Sequence, residues 1–316
     1  MTKLKNTADL QESILATLRY FALFSYPLPA QEVHRFLSKA VSLEEVVVCL
    51  NQMQHDQRVF LSSAGFYSID DKPEWSERRI RGKDQAEVLL GKANKYVRKI
   101  MQCPFVKAIA ISGSLSKYYA DTDGDIDYFI VTEKNRLWIS RTLLHLFKKT
   151  SFIRGNEHFY CMNYFVDETA LEIDQKNLYS AIETVTLIPV FNASLISKLK
   201  EVNAYWIRDF LPNESYADDH RYVVNSSRNM LQRFAERMIT LIGADKLNLL
   251  LMKATDNKWR KKWKRKSYPM DQYDQAFHTT IHVSKNHPAN YQLQILTALK
   301  TDETTNLTKD FAACER

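Results

Sequence analysis

Glycine and proline are scarce in this chain, with 7 and 8 residues among 316. So few loop formers leave no room for a long flexible linker and predict a helix-rich protein. Cysteine is scarcer still: Cys49, Cys103, Cys161 and Cys314 stand far apart and form no Cys-x-x-Cys. That spacing speaks against a zinc knuckle or a disulfide framework and reads as reduced thiols in a cytoplasmic protein. No stretch approaches 18 apolar residues free of charge, so no membrane span is expected. The first residues, Met1-Thr-Lys-Leu-Lys-Asn6, lead into polar sequence, so no secretory leader is expected either.

What is present is an ordinary globular balance, 45% hydrophobic and 26% charged residues. At roughly 100–200 residues per domain, the length predicts two or three domains. Lys and Arg outnumber Asp and Glu by 44 to 37, a net charge of +7. Such a balance favours anionic partners such as nucleotides, nucleic acid or phosphorylated substrates, or marks a merely soluble basic protein.

Residues 1–73 read as a winged-helix-like module. Ile14, Leu15, Leu18, Phe21 and Ala22 recur at helical spacing until Tyr26-Pro-Leu-Pro29 stops the helix. A second helix fits Ala30–Leu37. Ser42 and Glu45 form a capping box for a third, with Val46, Val47, Leu50 and Met53 apolar. Arg58–Leu61 and Phe66–Ile69 then read as a hairpin around Gly65. In this order Ser42–Gln54 takes the place of a recognition helix. It carries Glu44 and Glu45, and no Lys or Arg lies between Val41 and Gln57, so DNA binding is not favoured. A charged helix over 74–102 follows.

The informative segment is 105–132. Phe105–Ile111 is a nearly continuous apolar run, as in a buried strand. Ser112-Gly113-Ser114 ends it, and a short helix is expected through Tyr119. After Asp121-Thr-Asp-Gly-Asp125, Ile126 and Tyr128–Val131 continue a second buried strand. Residues i and i+2 of a strand share a face, so Asp125 and Asp127 project together. Two adjacent carboxylates resist joint ionisation, and a divalent cation relieves them. Gly113 lets the backbone approach a phosphate, Ser114 and Ser116 offer hydroxyls, and Lys117 adds positive charge. A calcium loop of the EF-hand kind fits poorly, because Gly124 falls between Asp123 and Asp125 and strands flank the loop.

A strand, Gly-Ser, about ten residues and Asp-x-Asp on the next strand resembles the DNA polymerase beta-type nucleotidyltransferases. The resemblance spans Phe105–Thr132, and as a core domain extends toward Asp174. It implies Mg2+, or Mn2+ in its place, on Asp125 and Asp127. It implies a nucleoside triphosphate donor at Gly113, Ser114, Ser116 and Lys117. The acceptor it implies is open: a small molecule, a protein or RNA. The family usually has a third carboxylate. A strand over His158–Val166, parallel to the second, with a returning strand Leu171–Asp174, makes Asp174 the first candidate and Glu172 the alternative. Asn163 holds a mid-strand place where some members carry an acid.

The third region, 179–316, reads as helical. A helix from Ala181 precedes Pro189, and Val224–Leu251 looks long and amphipathic, with Met230, Leu231, Phe234, Met238, Leu241 and Leu249 as core. Lys258–Lys266 interleaves Trp259 and Trp263 with seven cations. It is either a nucleic-acid surface with stacking tryptophans or a basic helix whose tryptophans pack inward. His278 and His282 lie four apart without an acidic third ligand, and read as ordinary polar histidines. The residues from Asp302 onward are polar and expected to fray.

The fold class that follows is α/β of the α+β kind. A small mixed-sheet nucleotidyltransferase core spans 74–178, between the winged-helix-like module and the helical region. The function that follows is metal-dependent transfer of a nucleoside monophosphate with release of pyrophosphate. The rival is a winged-helix DNA-binding regulator with a nucleotide-sensing domain.

Overall fold

The computed structural model describes residues 2–122, 124–152, 157–216, 219–225 and 229–301. Helix α1 (Thr2–Ala22) buries Ile14, Leu18 and Phe21. Helix α2 (Ala30–Arg35) begins directly after Pro29. Ser42 caps α3 (Leu43–His55) reciprocally. The Glu45 N–H donates to Ser42 Oγ at 3.2 Å, and the Ser42 N–H donates to Glu45 Oε2 at 2.9 Å. Strands β1 (Phe60–Leu61) and β2 (Tyr67–Ser68) pair antiparallel. The charged helix is α4 (Pro73–Ile100), which buries Leu90, Ala93, Val97 and Ile100 on one stripe.

The main sheet starts with β3 (Val106–Ile111) and β4 (Asp127–Thr132), an antiparallel pair. Helix α5 (Leu137–Phe152) crosses over to β5 (Cys161–Asp167), which runs parallel to β4. Then come α6 (Leu178–Val185), β6 (Ile188–Phe191), α7 (Ala193–Ile207), α8 (Met230–Leu241) and α9 (Ala244–Arg265). A short α10 (Tyr273–Ala276), β7 (Val283–Lys285) and α11 (Tyr291–Thr301) complete the described chain. The five strands lie in the order β6-β3-β4-β5-β7, with β6 and β7 antiparallel to their neighbours. The protein is thus a mixed α/β structure.

Both faces of the sheet are covered, which explains the nearly unbroken apolar runs in β3 and β4. Ala108, Ala110, Phe129 and Val131 join a core shared with α1, α3, α6 and α7. Ile109, Ile111, Tyr128 and Ile130 join one shared with α4 and α5. Among the described residues no helix is long and apolar enough to cross a membrane.

Four expectations need correction. Leu171–Asp174 is not a strand. Leu171 and Ile173 are buried and Glu172 and Asp174 face out, as alternation predicts. Their backbone partner, however, is a side chain of α7. Asn203 Oδ1 accepts from the Ile173 N–H at 2.8 Å, and Asn203 Nδ2 donates to Leu171 O at 2.7 Å. The strand beside β3 is instead β6, which contains Pro189 and tolerates it because β6 is an edge.

The long helix over Val224–Leu251 is two helices broken at Gly243 (φ 97°). The polarity of α8 is also reversed. Met230, Leu231, Phe234, Met238 and Leu241 are exposed, while Gln232 is buried. Gln232 Nε2 donates to Met101 O and Cys103 O, and Glu236 Oε1 accepts from the Phe105 N–H at 2.8 Å. The turn at 101–105 carries unpaired backbone groups, and these two polar side chains satisfy them. Finally, the boundary at residue 178 cuts the sheet, since β6 and β7 both lie beyond it.

Candidate functional site

The Gly-Ser loop and the acid pair meet where β3 ends and β4 begins. The Ser112 N–H donates to Asp127 O at 3.0 Å, extending the ladder by one step. Gly113 follows with φ +68°, a left-handed conformation that favours glycine. A Cβ at Gly113 would sit 2.6 Å from Asp127 Oδ2. The space left by the missing side chain is therefore occupied by a carboxylate of the site itself, where the sequence reading reserved it for a phosphate.

Asp127 opens β4 opposite Cys161 of β5. Its carboxyl pKa is raised to about 6, first by burial, against a hydrogen bond from Cys161, then by Asp125 and Glu183, which Lys148 opposes. Asn163 Nδ2 donates to Cys161 Sγ at 3.0 Å, so the mid-strand Asn163 reaches Asp127 through the thiol. Asp125 is half-buried, and Ile126 between the two acids is fully buried, as the strand alternation required. Asp121 is tied to the Tyr119 hydroxyl and to Arg78. Asp123 lies outside the described residues.

The rest of the loop divides. Ser114 is exposed and its hydroxyl caps nothing. Ser116 is turned inward and buried, and donates to Gly113 O at 2.8 Å beside Thr186 Oγ1. The expected short helix is a single 3-10 turn over Leu115–Lys117. Its three-residue repeat rotates Ser116 toward Thr186 at the end of α6. Lys117 is engaged as well, donating to Gly113 O at 3.1 Å and to Glu183 Oε1 at 2.7 Å.

Glu183, on α6, is a residue beside the acid pair that sequence reasoning missed. It anchors Lys117, and its charge reaches Asp127, Tyr20 and Tyr179. The signal was present: Glu183 is the single charged residue between Lys176 and Lys198. The two carboxylates favoured from sequence are engaged differently. Asp174 Oδ2 lies 3.3 Å from His278 Nε2, and Glu172 accepts from Lys176 and from the Tyr205 hydroxyl, both acids being exposed. Neither is among the charges acting on Asp127, which are Asp125, Glu183 and Lys148.

Positive charge reaches Asp127 from Lys148 of α5. His145 is half-buried, and burial first, then Arg141, Lys148, Lys149 and Lys258, holds its imidazole down at about 3. The charge of Lys148 thus reaches both His145 and Asp127. The tryptophans of the basic run pack inward, with Trp259 and Trp263 rings 5.9 and 5.3 Å from that of Phe277. Lys261, Lys262 and Lys264 are exposed. His278 and His282 serve separate carboxylates, His282 Nδ1 lying 2.6 Å from Asp167 Oδ2. Among the described residues no three His, Cys, Asp or Glu side chains converge as a metal-binding group. In comparisons with protein families, with curated proteins and with solved structures, the chain matched none.

Proposed function

We propose that the protein is a metal-dependent nucleotidyltransferase of the polymerase beta type. It moves a nucleoside monophosphate from a triphosphate to an acceptor that is a small molecule, a protein or RNA. The observation that carries this reading is the acid pair at the head of β4, closed over by Gly113. The residues fit a divalent cation on one count. Burial and the neighbouring Asp125 hold Asp127 near 6, and a dication offsets both. Asp125 and Asp127 would hold Mg2+ or Mn2+, which supplies charge neutralisation on the phosphates when bound.

The chain's own residues do the remaining work. Lys148 adds positive charge beside the acids, where a polyphosphate is attracted. Ser114 presents a free hydroxyl at the mouth of the loop. Glu183 fixes Lys117 and through it Gly113, so the loop is rigid before substrate arrives. In the reaction an acceptor oxygen bonds to the α-phosphorus, the bond to the bridging oxygen breaks, and pyrophosphate leaves.

The regulator reading draws on the order of three helices and a hairpin. Glu44 and Glu45, exposed on α3, oppose it, because a DNA-reading helix meets phosphates with positive charge. The test is incubation of the protein with Mg2+, cell extract and each α-labelled triphosphate in turn. One triphosphate should label an acceptor with release of pyrophosphate, and Asp125→Asn with Asp127→Asn should abolish the label. Full labelling by the double variant sinks the assignment.

A further inference from the structure

Beside Tyr179, which lies within the field of Asp127 and Glu183, the turn from β7 into α11 buries a set of polar groups that the transferase reading does not use. Lys285 is 7% exposed. Its Nζ donates to Gln175 Oε1 at 2.6 Å and Gln292 Oε1 at 2.8 Å. An ammonium has three N–H groups, and both of these partners are neutral. Among the described residues no carboxylate pairs with it. Burial alone draws its pKa down to about 8, which leaves it charged at neutral pH.

The groups around it are incomplete too. Asn290 is 5% exposed, and neither its amide nitrogen nor its amide oxygen has a partner. His287 Nε2 also lacks one, and burial followed by Lys285 keeps the ring neutral, near 3. Together with Tyr179, Tyr291 and Gln292 these groups line a cavity of about 10 Å3. That is the volume of one water-sized sphere. It admits the tip of a ligand and not a nucleotide. A buried, charged donor without a counter-ion beside unsatisfied amide donors is an arrangement that an anionic oxygen completes.

We propose that Lys285 and Asn290, with His287 beside them, form an anion socket that takes one oxygen of a carboxylate or phosphate group on a small acidic ligand. The socket rests on these buried groups alone and stands or falls independently of the transferase reading. Tyr179 forms one wall of it, and the charges of Glu183 and Asp127 reach that side chain.

The experiment uses the full chain with its lysines 13C-labelled at Cε. Acetate and inorganic phosphate are titrated separately, with sodium chloride replaced to keep ionic strength constant. The Lys285 signal is identified by its loss in Lys285→Met. One salt should move that signal saturably and raise Tm in parallel, and which salt does so separates a carboxylate from a phosphate ligand. Asn290→Ala and Lys285→Met should each weaken the stabilisation by about tenfold or more in apparent affinity, and Lys285→Arg should keep part of it. Should Lys285→Met fail to fold, Asn290→Ala carries the test with Tm as the readout. A Tm response in Asn290→Ala equal to the wild type overturns the socket. So does a Lys285 signal unmoved by either salt, which leaves a buried water there, or a shift that chloride reproduces.

Discussion

Gly113 and Asp127 occupy one space: the position a Cβ would take on Gly113 is 2.6 Å from Asp127 Oδ2. Gly113→Ala therefore forces the carboxylate to move and places an L-residue at φ +68°. The backbone cost is roughly 1–2 kcal/mol, and displacement of a packed acid adds to it. Chemical denaturation should show a loss of about 1–3 kcal/mol, and triphosphate turnover should fall by more than about tenfold. Wild-type stability together with wild-type turnover would show that the two residues do not compete.

The raised pKa of Asp127 has a definite sign. Its folded value of about 6 lies above the ordinary carboxylate range. The stability it contributes is fully present below about pH 4 and lost as pH rises through about 6. Asp127→Asn should accordingly be more stable than the wild type at pH 8, by at most about 3 kcal/mol, with the difference vanishing toward pH 4. His145 acts oppositely. Its folded value near 3 means that stability is present above its ordinary value near 6.5 and lost as pH falls toward 3. His145→Leu should flatten the acid limb by up to about 1.4 kcal/mol per pH unit. Urea titrations of the three proteins between pH 3 and pH 8, in steps of about one unit, read both effects. An Asp127→Asn protein less stable than the wild type at pH 8 contradicts the assignment.

Glu183 and Asp174 make opposite predictions. Glu183→Gln leaves Lys117 without its ion pair in a mostly buried setting, at a cost of about 1–3 kcal/mol, and should reduce turnover more than about tenfold. Asp174→Asn and Glu172→Gln remove exposed contacts to His278 and Lys176, and should keep turnover within about twofold. A collapse of activity in Asp174→Asn with Glu183→Gln unaffected would restore the acid chosen from sequence.

The basic end of α9 is best probed away from Arg260, whose guanidinium is held by Asp256 and Asp274. Lys262 lies over the Trp263 ring, 5.0 Å from its centroid, so the joint replacement by Gln is of Lys261 and Lys264, which are exposed, and it should leave Tm unchanged. Because Trp259 and Trp263 pack on Phe277, they are not stacking platforms, and binding to RNA or duplex DNA at physiological salt should be weak. Fluorescence anisotropy across a salt series measures this. Tight binding whose salt slope falls by about 0.9 per cation removed would identify the segment as a nucleic-acid contact.

The parts of the fold written locally were legible. The capping box of Ser42 and Glu45, the paired strands β3 and β4, the crossover α5 and the parallel β5 all follow from short-range pattern. Asp125 and Asp127 share a strand face for the same reason. What escaped depends on distant partners. Pro189 looks like a strand breaker until β6 is seen to be an edge, and three residues of β7 carry no periodicity at all. On α8 the apolar pattern was clear but pointed outward, because the turn at 101–105 needed Gln232 and Glu236 more than it needed leucine. In the site, the inward rotation of Ser116 follows from a 3-10 turn that composition does not specify. Glu183 belongs to no motif, and only its isolation in an uncharged stretch marked it.

The edge strand β7 bears on how the chain is made. β5 ends at Asp167 and its partner begins at Val283, a separation of more than 100 residues. On the ribosome the outer edge of β5 therefore emerges long before anything covers it, and the pairing that closes it is among the most non-local in the molecule. Such contacts form slowly, and an open strand edge recruits other chains while it waits. Folding of the sheet is thus completed only once Val283–Lys285 has been made. A fragment ending before Val283, however well its β3-β4-β5 portion forms, exposes an adhesive border that β7 otherwise covers.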